Sequence, residues 1–185
     1  DTVRSSVTFS LAGQSIETLV LTGKASIAGT GNGMDNRITG NSGANRLDGG
    51  AGADVLAGGK GNDTYVIDLL DTIVEKAGGG TDTVVTSESY TLADGLERLV
   101  LTGSADVVGT GNAAANQLTG NDAGNSLYGL DGDDLIDGGG GDDYMIGGLG
   151  DDKFTGGKGH DLLDGWFGTD SVSGGSYSFS FSGGA

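Results

Sequence analysis

The sequence predicts an all-β chain wound as a parallel β-solenoid, and three observations carry that prediction. The first is a nine-residue beat, Gly-Gly-x-Gly-x-Asp-x-apolar-x. Its clearest stretch reads GLDGDDLID, GGGGDDYMI, GGLGDDKFT and GGKGHDLLD from Gly129 onward. The beat extends back to Gly111 and Gly120 and forward to Gly165, and a second block starts at Gly31, Gly40, Gly49 and Gly58. In all eleven units position 1 is Gly, position 6 is Asp or Asn, and position 8 is apolar. The second observation is composition: 40 glycines and no proline in 185 residues. That is too much glycine for an ordinary globular core, and the wrong period for collagen. Regular Leu, Ile, Val, Phe and Tyr exclude a flexible linker. The third is a longer repeat of about 80 residues, in which IETLVLTG at Ile16 returns as LERLVLTG at Leu96 and GTGN at Gly29 returns at Gly109.

Residue type gives each element its form. Glycine at positions 1, 2 and 4 permits left-handed or crowded backbone in a tight turn. Positions 7 to 9 form a short strand with the position 8 side chain inward and its neighbours outward. Two nonapeptides make one coil, and strands alternate between two facing parallel sheets. One continuous solenoid over 1–173 is expected, built of long units at about 1–80 and 81–173. Between the blocks, AGGGTDTVV from Ala77 is a damaged nonapeptide with Asp82 at position 6 and Val84 at position 8. Asp71, Thr72 and Ile73 belong to another whose turn is a residue short. Apolar anchors continue at Tyr90 or Leu92, Leu99, Val107 and Leu118. A helix over Ile67 to Ala77 is the alternative, and the β-branched content favours strands. Asp1-Thr2-Val3 matches Asp82-Thr83-Val84, so the chain is expected to begin at position 6 of a turn. Residues 174–185 are expected to form a C-terminal strand cap or a tail, because Tyr177, Phe179 and Phe181 alternate with Ser.

Charge narrows the partners. There are 26 acidic against 9 basic residues, a formal charge of −17, and 22 of the acids are Asp. Short carboxylates at this density belong in turns rather than on a solvated helix face. Nucleic acid and anionic membranes are poor partners for such a surface. No cysteine is present for disulfide or thiolate chemistry,. DTVRSSVTFS has no signal-peptide pattern, and no apolar run reaches the roughly 20 residues of a membrane span.

Stacking places position 6 of one unit over position 6 of the unit two further on. The carboxylate pairs are Asp134 with Asp152, Asp143 with Asp161, and Asp152 with Asp170. In the first unit they are Asp54 with Asp71 and Asp63 with Asp82. Two bare carboxylates about 5 Å apart repel by about 3 kcal/mol at an effective dielectric near 20. A hard cation with oxygen ligands reverses that sign. Calcium takes about six to eight oxygens in flexible geometry, carbonyls included, whereas magnesium demands a strict octahedron.

In these nonapeptides the chain resembles the repeats-in-toxin (RTX, hemolysin-type) calcium-binding repeats of secreted bacterial proteins. The resemblance implies a parallel β-roll with calcium ions in the turns. It also implies a ligand set: carbonyls of positions 2 and 4 with the position 6 carboxylate of one turn, and carbonyls of positions 1 and 3 with the position 6 carboxylate of the turn one coil on. Carried over, one site comprises Leu130, Gly132, Asp134, Gly147, Leu149 and Asp152. The next comprises Gly139, Gly141, Asp143, Gly156, Lys158 and Asp161, and a third Gly148, Gly150, Asp152, Gly165, Phe167 and Asp170. In the first block the same positions are Gly50, Gly52 and Asp54, facing Asp71, and Gly59, Gly61 and Asp63, facing Asp82. About five calcium ions are expected, with a range of roughly three to seven. Trp166 and Phe167 depart from the Gly-Gly pattern at the third site. Units at 31, 40, 111 and 120 carry Asn at positions 2 and 6, whose side chains can stack as hydrogen-bonded ladders, and are expected to be weak or metal-free rungs.

The resemblance further implies type I export and folding outside a bacterial cell, where calcium is abundant. The alternatives are the noncatalytic C-terminal module of an extracellular protease, lipase, or polysaccharide lyase or epimerase, and a repeat segment of a calcium-dependent adhesin. No HExxH or GxSxG motif occurs,. His160, the one histidine, falls at variable position 5, a solvent-facing place in a turn. Tyr128, Tyr144, Ile146 and Leu162 are expected to share one outer sheet face, an apolar patch suited to a partner module or self-association.

Overall fold

A computed structural model describes residues 1–76 and 78–180; Ala77 and residues 181–185, Phe181 among them, lie outside the described residues. The described residues contain no helix. The chain divides into two compact units, Asp1–Val85 and Thr86–Ala185.

The first unit holds β1 (Thr2–Ser5), β2 (Phe9–Ser10), β3 (Thr18–Leu21), β4 (Ala28–Thr30), β5 (Arg37–Thr39), β6 (Arg46–Asp48), β7 (Val55–Ala57), β8 (Thr64–Val66), β9 (Thr72–Ile73) and β10 (Thr83–Thr86). Odd-numbered strands make one parallel sheet and even-numbered strands another. In the regular block Arg37 pairs with Val55 and Arg46 with Thr64, an offset of 18 residues, or two nonapeptides per coil. The irregular segments keep the stack by adjusting loop length. Val55 pairs with Thr72, one residue short, and Thr64 with Thr83, one residue long. Val74 N–H also donates to the Leu56 carbonyl at 2.8 Å. Strand pairing overturns the helical alternative for Ile67 to Lys76, as the β-branched residues indicated.

The second unit holds β11 (Tyr90–Thr91), β12 (Arg98–Leu101), β13 (Val108–Thr110), β14 (Gln117–Thr119), β15 (Ser126–Asp131), β16 (Leu135–Asp137), β17 (Tyr144–Leu149), β18 (Lys153–Thr155), β19 (His160–Phe167), β20 (Ser171–Ser173) and β21 (Ser176–Ser180). The odd strands form one parallel sheet, and the even strands pair with one another in parallel. The 18-residue offset recurs, with Ser126 beside Tyr144 and Tyr144 beside Leu162. β21 joins the edge of β19, placing Tyr177 beside Asp161.

Each unit's core lies between its two sheets and is one side chain thick. Ile38, Leu47, Leu56, Tyr65, Leu118, Leu127, Ile136, Met145, Phe154 and Leu163, all at position 8, are at most 1% exposed. Val84 of the damaged repeat is equally buried, and Leu92 rather than Tyr90 is the buried anchor after it. Gly29 and Gly109 occupy inward places where a larger residue would collide. A Cβ on Gly109 would lie 2.9 Å from Leu127 and 3.2 Å from Leu101. β12 buries two leucines, Leu99 and Leu101, and the glycine leaves them room. The invariant Gly of the two GTGN motifs is therefore a volume match. Among the described residues no helix is long and apolar enough to cross a membrane.

Candidate metal centres in the turns

Most strands of the regular blocks end at position 9, whereas β15, β17 and β19 continue through positions 1 to 3 of the following turn. Position 6 is the pivot, with its side chain folded under the turn. Asp54, Asp63, Asp134, Asp143, Asp152 and Asp161 are at most 2% exposed. One oxygen of each is used: Oδ1 accepts the backbone N–H of position 6 one coil earlier. The donors are Asn36 to Asp54 at 2.6 Å, Asn45 to Asp63 at 2.7 Å, Asn116 to Asp134 at 2.7 Å and Asn125 to Asp143 at 2.7 Å. Asp134 donates to Asp152 at 2.9 Å, Asp143 to Asp161 at 3.1 Å and Asp152 to Asp170 at 2.9 Å. The other oxygen, Oδ2 of Asp54, Asp63, Asp134, Asp143, Asp152, Asp161 and Asp170, is buried without a hydrogen-bond donor.

Such atoms are costly when charged. Burial pushes the carboxyls of Asp134 and Asp143 up to about 7, and those of Asp54, Asp63 and Asp152 up to about 6. The accepted N–H pulls each the other way. The neighbouring carboxylate, Asp152 beside Asp134 and Asp161 beside Asp143, adds to the rise.

Carbonyl direction completes the oxygen set. A Cβ on Gly148 would collide with the Leu130 carbonyl, one on Gly150 with that of Gly132, and those on Gly157 and Gly159 with Gly139 and Gly141. Carbonyls of positions 2 and 4 therefore aim at the next coil. Position 1 carbonyls aim back: a Cβ on Gly129 would lie 2.6 Å from the Gly147 oxygen, and one on Gly138 2.7 Å from that of Gly156. The same Cβ positions would strike Oδ2 of Asp134 and Asp143. Glycine at position 1 thus preserves a space lined by oxygen. Position 3 carbonyls point back as well, Leu149 accepting Gly132 N–H at 2.7 Å and Phe167 accepting Gly150 N–H at 2.9 Å. Buried donorless oxygens, converging carbonyls and a cradle closed to any Cβ fit a hard divalent cation.

Positions 2 and 4 need glycine for a different reason. They are left-handed throughout the Asp turns, for example Gly148 at φ 121° and Gly132 at φ 114°. Leu130 at φ 83° and Trp166 at φ 66° adopt the same conformation with side chains attached, a strain of about 1–2 kcal/mol each. Trp166 thus keeps the backbone of the third site intact.

The Asn turns are built otherwise. No residue in the turns at 31, 40, 111 or 120 has positive φ. Asn116 Oδ1 accepts Asn112 N–H at 2.6 Å, and Asn116 Nδ2 donates to Asn112 Oδ1 at 3.2 Å. Asn112 Nδ2 reaches back one coil to the carbonyls of Ala93 and Leu96 at 2.9 and 2.8 Å. Asn121 does the same to Thr102 and Ala105. The expected Asn ladder from coil to coil is not the arrangement. Each Asn turn stacks on an Asp turn, and its amides pair within the turn and satisfy carbonyls upstream. An N–H stands where the Asp turns leave bare oxygen.

The irregular turns differ from both. Asp54 N–H donates to Asp71 Oδ1 at 3.0 Å, but Asp71 Oδ2 already accepts Asp68 N–H at 3.0 Å. Asp63 N–H donates to Asp82 Oδ1 at 2.7 Å, and there Glu75 joins as a third carboxylate. Sequence reasoning missed Glu75, which lies outside the nonapeptide register. Its signal was Tyr65, the one hydroxyl-bearing side chain at position 8. His160 is exposed, its N–H bonded to Asp142 at 2.9 Å. Lys158 is exposed, and its backbone N–H donates to the Gly139 carbonyl at 3.0 Å.

Tyr128, Tyr144, Ile146 and Leu162 do share one sheet face, with the Tyr128 and Tyr144 rings edge to face at 6.2 Å. Tyr144 and Leu162 are exposed, while Tyr128 and Ile146 are half-buried. β-pairing also brings Leu130 and Trp166, and Leu149 and Phe167, into two exposed columns beside that face. The nonapeptide pattern hid those columns by marking their positions as turn.

The model of the RTX calcium-binding nonapeptide repeat matches four times, at residues 30–65, 110–145, 119–154 and 146–176. The matches cover more than half of the chain and include every Asp turn of the regular blocks. No curated protein matches the chain. By its repeats and its parallel roll, the chain belongs to the RTX calcium-binding nonapeptide repeat family.

Proposed function

We propose that this chain is a calcium-dependent folding module of a secreted bacterial protein, exported unfolded by a type I route and folded where calcium is abundant. One observation carries the reading: the series of buried, donorless Oδ2 atoms on successive coils. Without a cation these oxygens repel one another above a core only one side chain thick. With no site preformed in the unfolded chain, ion binding becomes folding free energy. The module supplies stability and timing rather than catalysis.

In this reading Asp134 with Asp152, Asp143 with Asp161, and Asp152 with Asp170 hold ions in the second unit, with the position 1 to 4 carbonyls of the same turns. Asp54 with Asp71 and Asp63 with Asp82 do so in the first, with Gly50, Gly52, Gly59 and Gly61. A bound calcium supplies charge neutralisation and a coordination centre for two consecutive turns. The protein's part is to present carboxylates and carbonyls on a common axis. The Asn turns do the same work with amide N–H groups and are metal-free. Native mass spectrometry in calcium tests this: about five bound ions are expected, in a range of roughly three to seven. Magnesium is expected to substitute poorly. A chain that carries no calcium at micromolar to millimolar concentration would overturn the reading.

A further inference from the structure

The stack is not uniform, and its departure lies in the last turn of the first unit. Asp63, Glu75 and Asp82 bring carboxylate oxygens within 4.8 Å of one another. Asp63 is 1% exposed, and its Oδ2 is buried without a donor. Glu75 comes from the segment between β9 and β10, within the coil from Thr64 to Thr83 that is one residue longer than a regular coil. Tyr65 holds it in place: its phenol accepts Gly58 N–H at 2.8 Å and donates to Glu75 Oε2. Tyr65 is fully buried, so its ring spans the core and its hydroxyl emerges inside the turn. A backbone oxygen also converges there. A Cβ on Gly79 would lie 2.8 Å from both Glu75 Oε1 and the Gly59 carbonyl.

We infer that Asp63, Glu75 and Asp82 form a three-carboxylate site for a hard divalent cation, with Glu75 as a direct ligand and Tyr65 as its positioning residue. The inference rests on the calcium reading of the turns and adds a ligand and an order to it. Every regular site has two carboxylates, and affinity for such ions rises with the number of charged ligands. The three-carboxylate site therefore fills first. Its occupancy ties β9 and β10 to β8, seeding the first unit from its irregular end.

The test is a terbium titration of the whole chain with tyrosine excitation, alongside calcium calorimetry. Wild type is expected to show tyrosine-sensitised emission from the first equivalent. Glu75→Gln weakens the tightest step by at least about tenfold and leaves later steps in place. Tyr65→Phe removes most of the early emission and weakens that step less than Glu75→Gln does. Asp143→Asn leaves the tightest step unchanged. Glu75→Asp, which keeps the charge, recovers part of the lost affinity and guards against a folding artefact. An unchanged first step in Glu75→Gln, or early emission independent of Tyr65, would overturn the inference while leaving calcium binding intact. Failure of wild type to bind either ion would instead sink the parent reading.

Discussion

Asp152 is the residue whose replacement says most about the stack. Its Oδ1 accepts Asp134 N–H at 2.9 Å, its own N–H donates to Asp170 at 2.9 Å, and its Oδ2 is buried without a donor. It therefore faces a carboxylate on both sides and, in the proposed scheme, serves two sites. Asp161 faces Asp143 alone, because its partner on the following strand is Tyr177 rather than a carboxylate. Asp152→Asn retains an acceptor for Asp134 N–H and removes one charge from two sites. With free calcium about a hundredfold above Kd, each occupied site contributes about 2.7 kcal/mol, so losing two removes about 5 kcal/mol. Asp161→Asn removes about half of that. Asp152→Ala costs a further 1–3 kcal/mol, roughly, for the stranded N–H. Asn125→Ala breaks the amide pair with Asn121 and loses no ion. Calorimetric stoichiometry with urea unfolding at fixed calcium reads both quantities. If Asp152→Asn lost no more calcium than Asp161→Asn, or Asp152→Ala no more than Asn125→Ala, the stacking scheme would be wrong.

The raised carboxyls make the metal-free fold sensitive to pH. Asp134 and Asp143, pushed up to about 7, bind protons more tightly folded than unfolded. Their contribution is complete below the ordinary carboxylate range near 4 and is lost as pH rises through about 6 to 7. In chelator, β signal is expected to grow from about pH 8 to about pH 5, while calcium affinity falls over the same range; a flat metal-free signal would contradict this. Gly147→Ala drives a Cβ into Asp152 Oδ2 and is expected to cost about 1–3 kcal/mol in calcium. Gly33→Ala meets nothing within 4 Å and is expected to stay within about 0.5 kcal/mol of wild type; equal thermal shifts for the two would refute the cradle. Tyr144→Ser with Ile146→Ser is expected to leave calcium-induced folding intact, as both side chains stand on the outer face, and loss of the circular dichroism transition would place them in the core.

Legibility followed periodicity. The three-position pattern revealed coil length, sheet alternation, buried position 8 and pivotal position 6, since each depends on residues that recur at one spacing. The shortened turn before Thr72 was readable because Asp71 and Ile73 kept their relative places. Glu75 was not, because its approach to Asp63 depends on a one-off loop and on a hydroxyl arriving through the core. The Asn turns were marked as distinct by composition. Their bonding was misjudged because an amide can pair within a turn as well as between coils, and only backbone φ separates the two. Trp166 departs from the glycine pattern at the position that Leu130 occupies in its own unit. Their left-handed backbone shows that the turn tolerates a side chain at position 2 when it points to solvent.

The most direct test of the central claim is far-UV circular dichroism of the chain stripped with chelator and titrated with calcium. Burial of donorless carboxylates coil upon coil, above so thin a core, predicts a largely unfolded spectrum near neutral pH that converts to a β spectrum as calcium is added. A β spectrum already complete in excess chelator and unmoved by calcium would contradict it.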